Sequence, residues 1–199
     1  MNLIFPFFSY IFHPLFISFY NILFYIFFIN KILNNCIHYI YKAFFITLFI
    51  PIIVYYFLIQ TKKIEDSMIR NVQERKIPLI LQLILYLIII LTLTSPNNYL
   101  KLSDYFWASS VSTIIAFYFV LINKKISLHM ISMLGTSSWI ILNYTNLDLI
   151  HYMILFVILM VLSSCVALSR WIMKAHSISE LVLGSIIGAI PQFVIFMFQ

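Results

Sequence analysis

The chain is poor in charged side chains. Only 9% of its 199 residues are charged, whereas 63% are hydrophobic and the mean hydropathy is +1.04. A typical soluble domain has about 25% charged residues. The composition therefore excludes a soluble globular protein and predicts an integral membrane protein. It also argues against nucleic-acid binding, because almost no chain is left outside the membrane to carry out such binding.

Two further signals are missing. The chain has 2 cysteines, Cys36 near a loop and Cys165 inside an apolar run, and their spacing predicts neither a metal site nor a disulfide. The N-terminus lacks the basic region of a cleavable signal peptide, and the first apolar run continues past signal-peptide length. We therefore expect this run to be retained as a helix.

Long apolar runs predict an all-α polytopic transmembrane helix bundle with six to seven spans, because a helix needs about 20 apolar residues to cross about 30 Å of hydrocarbon. The predicted spans are residues 5–29, 38–60, 78–95, 106–122, 127–145, 149–168 and 179–198. We expect one membrane domain, in which residues 1–60 form N-terminal helices and residues 61–199 form the core. His13-Pro14 predicts a kink or packing feature in the first span. Gly184 and Gly188 predict close packing of the last helix against a neighbour in the chain.

The net charge of +6 is unevenly distributed. The loops after the second, fourth and sixth predicted spans hold Lys62, Lys63, Arg70, Arg75, Lys76, Lys124, Lys125, Arg170 and Lys174, whereas the other side has Lys31, Lys42 and Lys101. The positive-inside rule would place the basic side in the cytoplasm. Cations that bind phosphate would give the same excess, so both explanations stay open.

The most informative stretch is residues 169–180, Ser-Arg-Trp-Ile-Met-Lys-Ala-His-Ser-Ile-Ser-Glu. It places Arg170, His176 and Glu180 in order beside an apolar segment, and these groups suit phosphoryl transfer through a histidine nucleophile. If Glu180 lies on the first turn of the next helix, its carboxylate can accept one ring N–H of His176. The other ring nitrogen is then free to attack. No second ligand pair accompanies these residues, so we do not expect a metal site.

Two more polar segments fall on the same predicted side. Arg75 lies just before Pro78 at the start of the third apolar run, and alone it is typical of a basic interfacial flank. Ser127 and His129 lie in the short loop after the fourth span, and a lone histidine there usually has a packing role. Because His129 falls on the same side as Arg75, Arg170 and His176, one cavity between helix ends could collect all four.

The three segments resemble the motifs of the type 2 phosphatidic acid phosphatase and haloperoxidase superfamily. Residues 169–180 are similar to its signature of Ser-Arg, five residues, His, three residues, Asp, with Glu180 at the Asp position. Ser127-Leu128-His129 resembles the second motif, Pro-Ser-Gly-His, and the segment from Arg75 to Pro78 is similar in position to the first, Lys, six residues, Arg-Pro. The resemblance covers roughly residues 61–190 and is to a divergent bacterial branch, which implies an inner-membrane location.

The resemblance implies three catalytic residues. His176 would be the nucleophile that forms a phosphohistidine, and Glu180 would orient its ring. His129 would be the general acid that protonates the leaving alcohol, after which water hydrolyses the intermediate.

The resemblance also implies a phosphate-binding set consisting of Arg170, Ser127 and Arg75. The expected substrate is a lipid phosphate or diphosphate, such as phosphatidate, phosphatidylglycerol phosphate or a polyprenyl diphosphate. The partners would be this substrate and membrane lipids, with no cofactor, no metal and no nucleic acid. The oligomeric state stays open.

A second hypothesis is a catalytically silent relative that binds lipid or supports a membrane complex. Leu128 stands where the second motif has Gly, and Met68 stands where the first motif has Lys. Substitutions at motif positions are expected in a relative that has lost catalysis.

Overall fold

The protein is described by a computed structural model that covers residues 4–29, 36–65, 69, 71–93, 100–144 and 147–198. Helix accounts for 86% of these residues, and they contain no strand. The all-α prediction is therefore confirmed. The helices are α1 (Ile4–Ile11), α2 (Pro14–Phe24), α3 (Cys36–Phe44), α4 (Ile50–Gln60), α5 (Lys76–Leu93), α6 (Leu100–Leu121), α7 (Leu128–Asn143), α8 (Leu149–Ile172) and α9 (Ile178–Met197).

Short stretches of other helix types extend or join these elements. A π-helical segment, Tyr25–Ile29, continues α2, and a second one, Phe45–Phe49, joins α3 to α4. A 3₁₀ turn, Gln73–Arg75, leads into α5.

Five helical segments of the described chain are long and apolar enough to cross a membrane. They are Ile37–Gln60, Gln73–Leu93, Lys101–Leu121, Leu149–Ile172 and Ile178–Met197. The chain is therefore an integral membrane protein. The other two predicted spans correspond to shorter helices; α7, for example, has 16 residues, or about 24 Å of helix. The count of six to seven spans stays a prediction.

The first predicted span is not one helix. Helix α1 ends at Ile11 and α2 begins at Pro14, which has no N–H to donate and is suited to a helix start. Between them, His13 has an extended backbone, and its Nδ1 accepts the N–H of Leu15 at 3.3 Å as an N-cap. The kink at His13-Pro14 is confirmed, and the continuous helix over residues 5–29 is wrong.

Helices α7 and α9 pack with their backbones close together. A Cβ added at Gly188 would lie 2.2 Å from the carbonyl oxygen of Ile131, and one at Gly184 would lie 2.6 Å from that of Ser127. Neither position has room for a side chain, so the predicted close packing of the last helix is confirmed. The starts of α7 and α9 are thereby held side by side.

The loops that precede α5, α7 and α9 meet at one end of the bundle. Arg75 Nη1 donates to the carbonyl of Ile126 at 2.8 Å, and the Ser127 N–H donates to the carbonyl of Glu180 at 3.3 Å. The predicted sidedness of the three motif segments is therefore confirmed.

The N-terminal helices pack directly on the rest of the bundle. Ser9 of α1 and Ser169 of α8 form a buried hydroxyl pair with 2.6 Å between their Oγ atoms. Asn21 of α2 donates to the hydroxyl of Thr136 in α7 at 3.2 Å. Residues from 1–60 therefore reach the same core as the motif segments.

Candidate active site

The start of α9 holds His176. Its Nδ1 lies 2.7 Å from Oε2 of Glu180, and its side chain is 2% exposed. Because a carboxylate oxygen accepts hydrogen bonds, Nδ1 carries the ring proton and Nε2 keeps a lone pair. The predicted contact between His176 and Glu180 is confirmed.

A capping box fixes the carboxylate of Glu180. Ser177 is the N-cap of α9; its Oγ accepts the N–H of Glu180 at 3.3 Å, and its own N–H donates to Glu180 Oε2 at 3.3 Å. His176 precedes the cap, so it reaches Oε2 from outside the first turn. One carboxylate oxygen therefore both caps the helix and orients the imidazole.

The surroundings of His176 favour its neutral form. Burial, together with the positive charges of Arg75, Arg170 and Lys125, lowers the pKa of His176 below its ordinary value of about 6.5. The ring is therefore neutral at pH 7, with its Nε2 lone pair available.

Arg75 places a fixed positive charge beside His176. The side chain is 3% exposed, and its Nε and Nη1 donate to the carbonyls of Ile69 at 3.1 Å and Ile126 at 2.8 Å. These bonds use two of the five N–H donors of a guanidinium and fix its orientation. Met68 and Arg70, at the first motif, lie outside the described residues.

Arg170 lies in the last turn of α8 and is buried. It is close enough to act electrostatically on both His129 and His176. The Ala175 N–H donates to the carbonyl of Arg170 at 3.0 Å and closes the turn that leads to His176.

Ser127 is the N-cap of α7. It is fully buried, and its Oγ accepts the N–H of Met130 at 3.4 Å. The hydroxyl is thus part of a helix start, and the serine lies outside the residues that line the cavity described below.

His129 lies in the first turn of α7 and is almost fully buried. Its Nε2 lies 3.1 Å from the carbonyl oxygen of Ser9 in α1. A carbonyl oxygen accepts hydrogen bonds, so Nε2 is the donor and carries a proton. The imidazole of His129 is therefore hydrogen-bonded to the backbone of the N-terminal helix α1.

A cavity of about 80 Å³ opens between these helix ends. One water molecule takes up about 10–15 Å³ of such a volume, so the cavity can hold several waters or one phosphate-sized group. Arg75, His129 and His176 line it, and so does Leu128. The predicted gathering in one cavity holds for these three polar residues, whereas Arg170, Ser127 and Glu180 lie outside the lining.

Three cavity residues come from the N-terminal part of the chain, residues 1–60, which was expected to lie apart from the core. They are His13, Pro14 and Tyr55. The rings of His13 and His129 are nearly perpendicular, with their centroids 5.2 Å apart. The histidine at the kink was visible in the sequence, but nothing there located it beside His129, and no sequence signal marked Tyr55.

Within the described part of the chain, no group of three or more His, Cys, Asp or Glu side chains is arranged to hold a metal ion. Comparisons of the chain with protein-family models, with curated proteins and with solved structures found no match. The residues of the site and their geometry are therefore what points to a function.

Proposed function

We propose that this protein hydrolyses a lipid phosphate or diphosphate through a phosphohistidine on His176. The observation that carries the proposal is the 2.7 Å contact between His176 Nδ1 and Glu180 Oε2, made by a histidine that lines a cavity. This contact leaves Nε2 unprotonated, as a nucleophile requires.

In the first step, the Nε2 lone pair attacks phosphorus. A P–N bond forms while the P–O bond to the lipid alcohol breaks, and the electron pair leaves on oxygen. The ring becomes positive as it attacks, and the carboxylate of Glu180 stabilises that charge. Arg75 lines the same cavity and stabilises the phosphate oxygens, and Arg170 adds a second positive charge near His176.

The leaving oxygen needs a proton, which we assign to His129. In the described state the Nε2 proton of His129 is bonded to the carbonyl of Ser9. A neutral imidazole that lost this proton would become an imidazolate, so transfer requires a ring protonated on both nitrogens. The ring then gives its Nδ1 proton to the leaving oxygen and returns to the neutral form. Water then attacks the phosphohistidine, the P–N bond breaks, and inorganic phosphate leaves as the Nε2 lone pair is restored. A proton of the attacking water returns to His129.

The position of the cavity supports a lipid substrate. The cavity extends from the starts of α5 and α7 into the bundle, where Tyr86, Tyr105 and Gln192 also line it, and α5, α6 and α9 belong to segments that can cross a membrane. A headgroup could reach His176 while its acyl or prenyl tails stay in hydrocarbon. The bilayer we propose is a bacterial inner membrane.

Two observations favour the second candidate, a silent relative that binds lipid phosphate. The hydroxyl of Ser127 caps α7, and Leu128 lines the cavity at the position where the resembling motif has glycine. Both features leave less space and fewer donors for the phosphate of a transition state.

The test is phosphate release by the detergent-purified protein from phosphatidate, phosphatidylglycerol phosphate and a polyprenyl diphosphate. We expect release from at least one substrate, unchanged by a metal chelator. Loss of release in chelator would contradict the mechanism. Binding of these lipids without any release would support the silent relative.

A further inference from the structure

His13 occupies an unusual place for a membrane-helix histidine. It lies in the break between α1 and α2, where its backbone is extended and not helical. From there it lines the cavity together with Arg75, His129 and His176. The N-terminal helices therefore contribute a third imidazole to a cavity whose other two histidines and arginine follow residue 61.

The break also fixes which ring nitrogen of His13 is the donor. Nδ1 accepts the backbone N–H of Leu15 at 3.3 Å, so this nitrogen carries no proton and the proton of the neutral ring is on Nε2. The cap restrains the ring, and the perpendicular ring of His129 lies against it with centroids 5.2 Å apart. His129 is itself held by the carbonyl of Ser9, four residues before His13. The residues around the break thus position both imidazoles.

We propose that His13 is a further substrate-binding residue, which donates its Nε2–H to a phosphate oxygen in the cavity. The inference rests on the proposed function, because the ligand is the phosphate group that His176 would attack. A neutral donor suits this position, since it adds a hydrogen bond to the phosphate without adding a third cation beside Arg75 and Arg170. The N-terminal helix pair is then part of the phosphate site.

Two substitutions of His13 separate its role as a helix cap from its proposed role in phosphate binding. Asparagine is a preferred N-cap residue, so His13→Asn keeps a capping side chain but has no donor at the position of Nε2. His13→Ala removes both the cap and the donor. A hydrogen bond to a charged group contributes roughly 1.5–3 kcal/mol, so both variants should raise KM by about 10-fold or more. Because the carbonyl of Ser9 still holds His129 in both variants, we expect kcat to change much less than KM, and only His13→Ala to lower the melting temperature.

The matched control is His38→Asn, the same change at an exposed histidine of α3, which should leave KM unchanged. Wild-type KM in His13→Asn would overturn the inference while leaving hydrolysis intact. The dissociation constant of inorganic phosphate, measured by calorimetry, separates the two proposals. Phosphate binding that weakens about 10-fold in His13→Asn supports the site even without turnover. Equal phosphate binding by wild type and His13→Asn, or none by wild type, overturns it.

Discussion

The starts of α7 and α9 lie side by side, and each combines a serine N-cap with a histidine. At the start of α7, Ser127 caps the helix and His129 follows inside the first turn. At the start of α9, His176 comes immediately before the cap, Ser177. Both histidines are buried and both line the cavity.

The partners of the two imidazoles differ. His129 donates to the neutral carbonyl of Ser9, whereas His176 donates to the carboxylate of Glu180. A carboxylate stabilises the positive charge that an imidazole gains when it attacks, and a carbonyl does so much less. The start of α9 therefore suits the nucleophile that we propose, whereas the imidazole at the start of α7 is held by a bond to a neutral backbone group.

The largest expected effect is at the nucleophile. His176→Ala should lower kcat by about 10⁴-fold or more, whereas His129→Ala removes a general acid and should lower it by about 10²–10³-fold. Radiolabelled phosphate should be trapped on wild type, but not on His176→Ala, by denaturing quench at alkaline pH. The control is His151→Ala, which alters the exposed His151–Asp148 pair at the opposite end of α8. A larger loss in His129→Ala than in His176→Ala would reverse the comparison.

The next effect concerns the carboxylate. Glutamine also forms capping boxes, so Glu180→Gln keeps the start of α9 and removes the charge. We expect kcat to fall by about 10²-fold with a much smaller change in KM, by analogy with the orienting carboxylate of hydrolase triads. Glu180→Asp should retain more activity than Glu180→Gln. Wild-type kcat in Glu180→Gln would reduce Glu180 to a capping residue.

The close packing of α7 and α9 can be tested by adding single methyl groups. Gly188→Ala would force a Cβ to within 2.2 Å of the carbonyl oxygen of Ile131, so the backbones must separate. We expect a loss of about 1–3 kcal/mol in stability, measured by thermal unfolding in detergent. Gly135→Ala is the matched control, since its nearest contact is the carbonyl oxygen of Gly188 at 3.3 Å. Equal stability of the two variants would contradict the geometry.

The two N-cap serines provide a smaller test. Ser127→Ala and Ser177→Ala should each cost about 1 kcal/mol in stability. Only Ser177→Ala should also lower kcat, because Ser177 helps to hold the carboxylate that contacts His176. A large rise in KM for Ser127→Ala would restore Ser127 as a direct phosphate ligand.

The site at α9 could be predicted from the sequence because its parts are local. His176 and Glu180 are four residues apart, and an apolar run after them indicates where the helix starts. The length of the apolar runs also predicted that the three motif segments share one end. No such local rule decides whether Ser127 caps a helix or binds phosphate, since a serine before a helix suits both uses.

The contribution of the N-terminal helices could not be predicted. His13 and His129 are far apart in the sequence, and their contact depends on how α1 packs on α8 through Ser9 and Ser169. Proline at position 14 predicts the break, but it does not predict which surface the break covers. The limits of the fifth and sixth predicted spans agree better with the structure. Helices α7 and α8 begin and end within a few residues of these limits.

The smallest effect is the position of a single proton on each ring. In detergent-solubilised protein with ¹⁵N-labelled histidine, the ring signals should show the proton on Nδ1 of His176 and on Nε2 of His129, assigned by their loss in the alanine variants. Because the pKa of His176 is lowered, its Nε2 should stay unprotonated as the pH falls from about 8 to about 6, where a histidine of ordinary pKa would be about three quarters protonated. The nucleophile then loses no reactivity over this range. Protonation of His176 above pH 6, or the same tautomer on both rings, would remove the distinction between the two helix starts.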